Sequence, residues 1–270
     1  NLETTQGLKR VLGPGNLVAL GVGATIGAGL FSLTGIAASE NAGPAVVLSF
    51  IVAAIACGFA GLCYSELASM IPIAGSAYTY AYVTLGELMA WIIGWDLVLE
   101  YAVGAATVAV SWSRYVVSLL DSWGIVLPAR LTASPFETLH MADGSVTHGI
   151  ANLPAAAAIC AVSWVLIRGI SQSAMVNAVI VTIKLLVIAA FIGFGLSYIN
   201  PENYHPYLPP NDGTFGHFGL SGVMRAAGTI FFAYVGFDAV STTAQETRNP
   251  ARNMPIGILG SLLVCTLVYV

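Results

Sequence analysis

From Val11 to Ser113 the chain carries not one lysine or arginine. A soluble domain has too much surface to cover without positive charge over such a length, since charged residues make up roughly a quarter of ordinary soluble sequences. Here they make up 8% of 270 residues, against 57% hydrophobic ones. A bilayer is the solvent that fits this composition. Nine basic against thirteen acidic residues leave a formal charge of −4, so no basic surface is offered to a nucleic acid.

Crossing roughly 30 Å of hydrocarbon takes about twenty apolar residues in a helix. Such stretches lie at 16–38, 45–66, 86–118, 152–169, 174–198 and 221–243, and a seventh opens at Pro255. Each is expected to be helical, because open sheet edges cannot be satisfied in lipid. The connections at 39–44 and 170–173 are short. The longer ones, 119–151 and 199–220, hold His140, His148, His205 and His217, whose wide spacing reads as solvated histidines rather than a metal site. No cofactor is implied. Cys57, Cys63, Cys160 and Cys265 lie in apolar stretches without a CxxC pair, and read as small buried hydrophobes. The chain opens without Met or a signal peptide and stops inside an apolar run, so both ends are expected to be cut.

Positive charge sets orientation. With the N-terminus cytoplasmic, the inner side carries Lys9, Arg10, Arg168, Arg248 and Arg252, and the outer side Arg114, Arg130 and Arg225. That excess favours an inside N-terminus.

The first span holds Gly21, Gly23, Gly27 and Gly29, each costing a helix about 1 kcal/mol relative to alanine. Close packing against another helix is one explanation, and Gly23 and Gly27 have the spacing for it. The four do not share one stripe, however, which favours an interrupted helix. Its unwound turn would present N–H groups to an anion at the start of the outer half, and carbonyls to a cation at the end of the inner half. The sixth span echoes this at Gly236, with Asp238 two residues on. Interrupted helices at matching positions of two halves point to a transporter's central site.

Residues 23–31 (Gly-Ala-Thr-Ile-Gly-Ala-Gly-Leu-Phe) resemble the first helix of the amino acid–polyamine–organocation superfamily, as do the strings at 64–68 and 72–78. The strings at 95–101, 235–238 and 246–250 resemble its cationic amino acid transporter branch. The resemblance runs through nearly the whole chain. It implies an all-α polytopic membrane protein with a five-plus-five inverted-repeat core and broken helices 1 and 6, of which only helices 1–7 are present. The expected divisions are a cytoplasmic tail at 1–15, a first five-helix repeat at 16–198, and at 199–270 an extracellular loop, helix 6 and the start of helix 7.

Lys184 lies about ten residues, or 15 Å, into the fifth span, beyond easy snorkelling to the headgroups. An ionisable group at that depth is costly and is by default a functional candidate; as a group that gains and loses a proton, it is a candidate for coupling. By resemblance its ammonium takes the place of the sodium ion of sodium-driven relatives, beside the unwound first helix. Asp96 and Glu100 share one face of the third span, and Glu100 is central. Glu100 and Asp238 are candidates for a polar relay, or for facing a cationic substrate side chain.

The resemblance further implies an amino acid substrate, zwitterionic or cationic. Its carboxylate would be met by N–H groups around Ile26, Gly27, Ala28 and Gly29, with the Thr25 hydroxyl. Its ammonium would be met by carbonyls near Val22 and along Phe232, Ala233 and Val235, with the Phe232 ring as an outer lid. The implied partners are that substrate, a proton and membrane lipid, with room for a small membrane partner protein; the implied location is the plasma membrane. A seven-helix receptor or light-driven pump is the rival suggested by the span count, but a pigment lysine belongs in the last helix and this one is in the fifth. An enzyme is not expected, because neither HExxH nor GxSxG occurs inside a span.

Overall fold

A computed structural model describes residues 10–27, 29–140, 146–167 and 173–270. The chain is an all-α polytopic membrane protein. Among the described residues, five helical stretches are long and apolar enough to cross a bilayer: Gly29–Met70, Glu87–Ser122, Val179–Tyr198, Gly219–Glu246 and Pro250–Tyr269. A shorter apolar helix covers Leu153–Trp164.

Helix α1 (Pro14–Thr25) starts on a proline, whose missing N–H is no loss in a first turn. It is only 12 residues long, about 18 Å, too short to cross. The chain resumes in a π-helical turn at Gly29–Leu33, then α2 (Thr34–Ala37), a second π-helical turn at Ala38–Ala42, a 3-10 turn at Gly43–Ala45, and α3 (Val46–Met70). The expected connection at 39–44 is therefore itself helical. Its bend is made at Gly43, with φ +60 and a contact with the ring of Pro209. Next come α4 (Ser76–Leu85), α5 (Glu87–Ser122), the antiparallel hairpin of β1 (Thr138–His140) and β2 (Val146–His148), α6 (Leu153–Ile167) and α7 (Ser173–Gly195). Helix α8 (Gly219–Phe231) is followed by 3-10 turns at Phe232–Tyr234 and Phe237–Glu246, and α9 (Pro250–Tyr269) closes the chain. That last helix begins five residues earlier than expected, at Pro250, and carries Pro255 within its first turns.

Two compact units emerge. The first holds the described residues up to Gly94 together with Ala174–Val270. Its core lies where α9 packs along α1 and α3 and where α8 packs on α3, filled by Leu17, Phe50, Ile230, Tyr234, Met254 and Ile258, each at most 1% exposed. Missing side chains allow the close approach: a Cβ on Gly257 would sit 2.6 Å from the Leu17 Cβ, and one on Gly61 2.6 Å from the Leu262 Cδ1. Gly21 faces Ser261 in the same way, so this glycine of the first span serves packing rather than the break.

The second unit is Trp95–Ser173. Asn152 caps α6 by accepting from the Ala155 N–H at 3.0 Å, and donates to the Ser113 hydroxyl of α5 at 2.8 Å. Arg114 pairs with Glu137 at 3.2 Å on the surface. Of the cysteines, Cys57 and Cys265 are buried, but Cys63 and Cys160 are exposed. A thiol behaves as a small hydrophobe, so an apolar helix face turned outward tolerates it as well as a core does.

Candidate functional site

Helix α1 stops because Ile26 turns to an extended conformation (φ −72, ψ 103) after donating its N–H to Val22 O at 3.0 Å. The last four carbonyls of any helix lack a donor within the helix. Here side chains supply several. The Lys184 Nζ donates to Gly23 O at 2.9 Å and to Ile26 O. The Tyr269 hydroxyl lies 3.4 Å from Thr25 O. Lys184 reaches the break because Val181, Lys184 and Ile188 stand on one side of α7, and Val181 and Ile188 are buried. On the far side of the break, the Leu30 and Phe31 N–H groups both donate to Gly27 O, at 3.2 and 3.3 Å. The helix that begins at Gly29 points its leading N–H groups back toward the gap.

The second break follows α8. The turn Phe232–Tyr234 ends in extended Val235 (ψ 133), and Gly236 adopts φ 117, a left-handed value that a side chain would strain. Val235 N–H donates to Phe232 O at 3.2 Å, and Ala233 O accepts from Tyr269 at 2.9 Å. The two breaks face each other. A Cβ on Gly29 would collide with the Ala233 backbone, and one on Gly236 would sit 2.8 Å from Ala24 O.

Val22, Thr25, Ile26, Gly29 and Ala233 are buried, and Gly27, Phe232 and Val235 are half-buried, all around these facing breaks. Ala28 lies outside the described residues, as do Lys9 and Arg168. The carbonyls of Val22, Phe232 and Ala233 each already accept one hydrogen bond, so an ammonium would use their second lone pair.

Asp238 is 5% exposed and belongs to the same unit; the Ser76 hydroxyl approaches its carboxylate at 3.5 Å. Ser76 and Gly75 take the left-handed values φ 50 and 149 that this turn requires. Glu100 and Asp96 lie on α5 in the second unit, both exposed.

Tyr269 and Ser76 escaped the sequence reading. The first is one more hydroxyl in an apolar run; the second stands within the string at 72–78 that carries the family resemblance, but nothing there singled it out as a partner of Asp238. His217 is likewise less bare than expected: its Nδ1 lies 2.6 Å from the Asp212 carboxylate.

The family model described as "Amino acid permease" matches residues 12–270. Among curated relatives, the methylthioribose transporter of Bacillus subtilis (strain 168) is 45% identical over 266 residues, 98% of this chain and 54% of that protein. The branched-chain amino acid permease BcaP of the same organism is 48% identical over 265 residues, 97% of this chain and 53% of its own. The vacuolar cationic amino acid transporter 2 of Arabidopsis thaliana is 40% identical over 262 residues, 97% and 40%. The chain spans about half the length of the first two of these relatives, and less of the third.

Proposed function

The chain belongs to the amino acid permease family, and from that premise we propose that it forms part of a secondary-active carrier that binds an amino acid between the two facing helix breaks. The observation that carries this reading is the abutment of Gly29 against Ala233 and of Gly236 against Ala24. It sets the positive start of one half-helix beside the carbonyl ends of two others. A zwitterion suits that arrangement, since each pole meets a helix end of opposite partial charge without needing a buried counter-charge.

In this reading the carboxylate accepts from N–H groups of Gly27, Ala28 and Gly29, with the Thr25 hydroxyl, while Ile26, whose N–H is bound to Val22 O, ends α1 beside it. The ammonium donates to carbonyls of Val22, Phe232, Ala233 and Val235, and the Phe232 ring closes the site from outside. Lys184 holds the end of α1 when charged and releases it when it gives up its proton, so a proton gradient can drive the cycle. Glu100 and Asp238 serve as relay carboxylates or face a cationic side chain. Helices within 16–198 form a first five-helix repeat, with 199–270 opening the second. The protein spans a plasma membrane with its N-terminus in the cytoplasm.

Support for an amino acid substrate comes from the family and from relatives named for branched-chain and cationic amino acids. The relative named for methylthioribose makes that sugar a necessary control. The test is uptake of radiolabelled alanine, leucine, arginine and methylthioribose by the full-length protein in proteoliposomes, beside Gly29→Ala and Gly35→Ala. A Cβ on Gly29 pushes the breaks apart, whereas one on Gly35 meets nothing within 4 Å. Gly29→Ala is expected to lose at least tenfold in amino acid uptake while Gly35→Ala keeps it. Equal uptake by both variants, or uptake of methylthioribose alone, contradicts the reading.

A further inference from the structure

We infer that Arg10, Arg248 and Arg252 form a seat for the phosphate of an anionic phospholipid at one membrane surface. They flank two segments that start there. Arg10 stands four residues before α1, and Arg252 lies in the first turn of α9, a helix long and apolar enough to cross. That level of a bilayer is where lipid phosphates lie. The three arginines are held on one frame. Val11 and Leu12 N–H groups donate to Glu246 O at 2.9 and 3.0 Å, and Arg248 N–H donates back to Leu12 O at 2.9 Å, so Leu12 pairs with Thr247 as parallel strands do. Thr247 is fully buried, which pins the pairing to the core. The Arg248 side chain then crosses to residue 10, its Nε donating to Arg10 O at 3.3 Å. Asn253 of α9 donates its side-chain amide to Arg248 O, and Asn249 O accepts from the Arg252 N–H at 3.1 Å. The backbones carrying the arginines are thereby fixed relative to one another, while all three side chains stay exposed.

Charge decides the occupant. Among the described residues, none of the three arginines has a carboxylate within ion-pair range, that of Glu246 included. Positive charges held together repel, and an anion between them relieves that repulsion. Arg248 spends one guanidinium N–H on Arg10 O. The fork of its two terminal nitrogens is left for a phosphate, which arginine meets with two parallel bonds. The positive start of α9 adds to the same field. A phospholipid supplies a phosphate at this depth and lays its acyl chains beside apolar helix faces. A zwitterionic lipid carries its own ammonium, which the arginines oppose, so the seat favours a lipid of net negative charge. The seat lies across the Leu12–Thr247 pairing, and a headgroup bound there steadies the joint between α1 and the helix after Gly236.

The experiment titrates the full-length protein in neutral detergent with phosphatidylglycerol and with phosphatidylcholine, and follows bound lipid by native mass spectrometry. The wild type is expected to bind phosphatidylglycerol about tenfold more tightly than phosphatidylcholine, and excess inorganic phosphate is expected not to displace it. Arg10→Gln, Arg248→Gln and Arg252→Gln are each expected to weaken phosphatidylglycerol about fivefold, what one basic residue is worth at an anionic surface. Arg130→Gln, in the exposed turn Ala129–Leu131, is expected to change it by less than about twofold. Equal affinity for the two lipids, a loss in Arg130→Gln as large as in the other three, or displacement by inorganic phosphate overturns the inference. Should the variants not fold, hydrogen exchange of the wild type in bilayers decides. The Leu12 and Arg248 amides are expected to exchange more slowly when phosphatidylglycerol is added to phosphatidylcholine, and unchanged exchange refutes the seat. Neither measurement involves an amino acid, so this inference and the transport reading fail separately.

Discussion

Lys184 donating to Gly23 O and Ile26 O puts a side-chain cation where a helix leaves carbonyls without donors. Its importance was readable in the sequence, since a lysine ten residues into an apolar span has few reasons to be there. Its partners were not readable from spacing, because they lie about 160 residues away and depend on how α7 packs. Tyr269 shows the opposite case: nothing local distinguishes it from any tyrosine near an interface, and only the fold gives its hydroxyl two carbonyls. Asp212, in the loop before α8, gives a residue-scale test outside the membrane. The Thr214 N–H, and then the His217 ring, hold its carboxyl below the ordinary aspartate value of 3.8. A depressed carboxylate stabilises its fold above the unfolded value, and that contribution is lost as pH falls through the lower folded value. Protection of the Thr214 amide from hydrogen exchange is therefore expected to persist at pH 5 and to disappear well below pH 3.8, and Asp212→Asn to abolish that pH dependence. Protection unchanged across that range in the wild type contradicts the assignment.

At the level of elements, apolar length located the helices well, because lipid leaves the backbone no alternative. Glycine spacing located both breaks for a similar reason: Gly236 at φ 117 is a conformation other residues resist. Two details were hidden. The segment 39–44 looked like a connection, yet it is helical through Ala42 and turns at Gly43, which lies against Pro209, a neighbour supplied by distant chain. Gly21 looked like part of the break, yet it admits Ser261 of α9. Close packing of α9 on α1 gives the element-scale prediction. Gly257→Leu places side-chain atoms onto Leu17 and is expected to destabilise the protein by about 1–3 kcal/mol, seen as a lower melting temperature in detergent. Gly58→Ala on α3, where a Cβ meets nothing within 4 Å, is expected to leave the melting temperature unchanged or raise it. Equal melting of the two variants would sink this account of the α1–α9 contact.

Over the whole molecule, hydrogen bonds tie the pieces on either side of the breaks. Val11 and Leu12 N–H groups donate to Glu246 O, and Arg248 N–H to Leu12 O, joining the start of α1 to the end of the 3-10 helix after Gly236. The Asn41 side chain donates to Gly216 O at 2.9 Å and its backbone carbonyl accepts from the Phe218 N–H at 2.8 Å, joining the helical stretch after Gly29 to the start of α8. The half-helix α1 is thus linked to the one after Gly236, the stretch after Gly29 to α8, and the breaks lie between the two pairs. That arrangement suits a carrier that opens to one side at a time, and in the proposed cycle the proton on Lys184 sets how firmly the end of α1 is held. The most direct test is uptake of labelled leucine and arginine by the full-length protein in proteoliposomes, with and without an inward proton gradient, beside Lys184→Ala. The account predicts uptake that rises with the gradient in the wild type and a variant that no longer responds to it. Wild-type uptake of neither amino acid under any gradient, or a variant that responds as fully as the wild type, would contradict it.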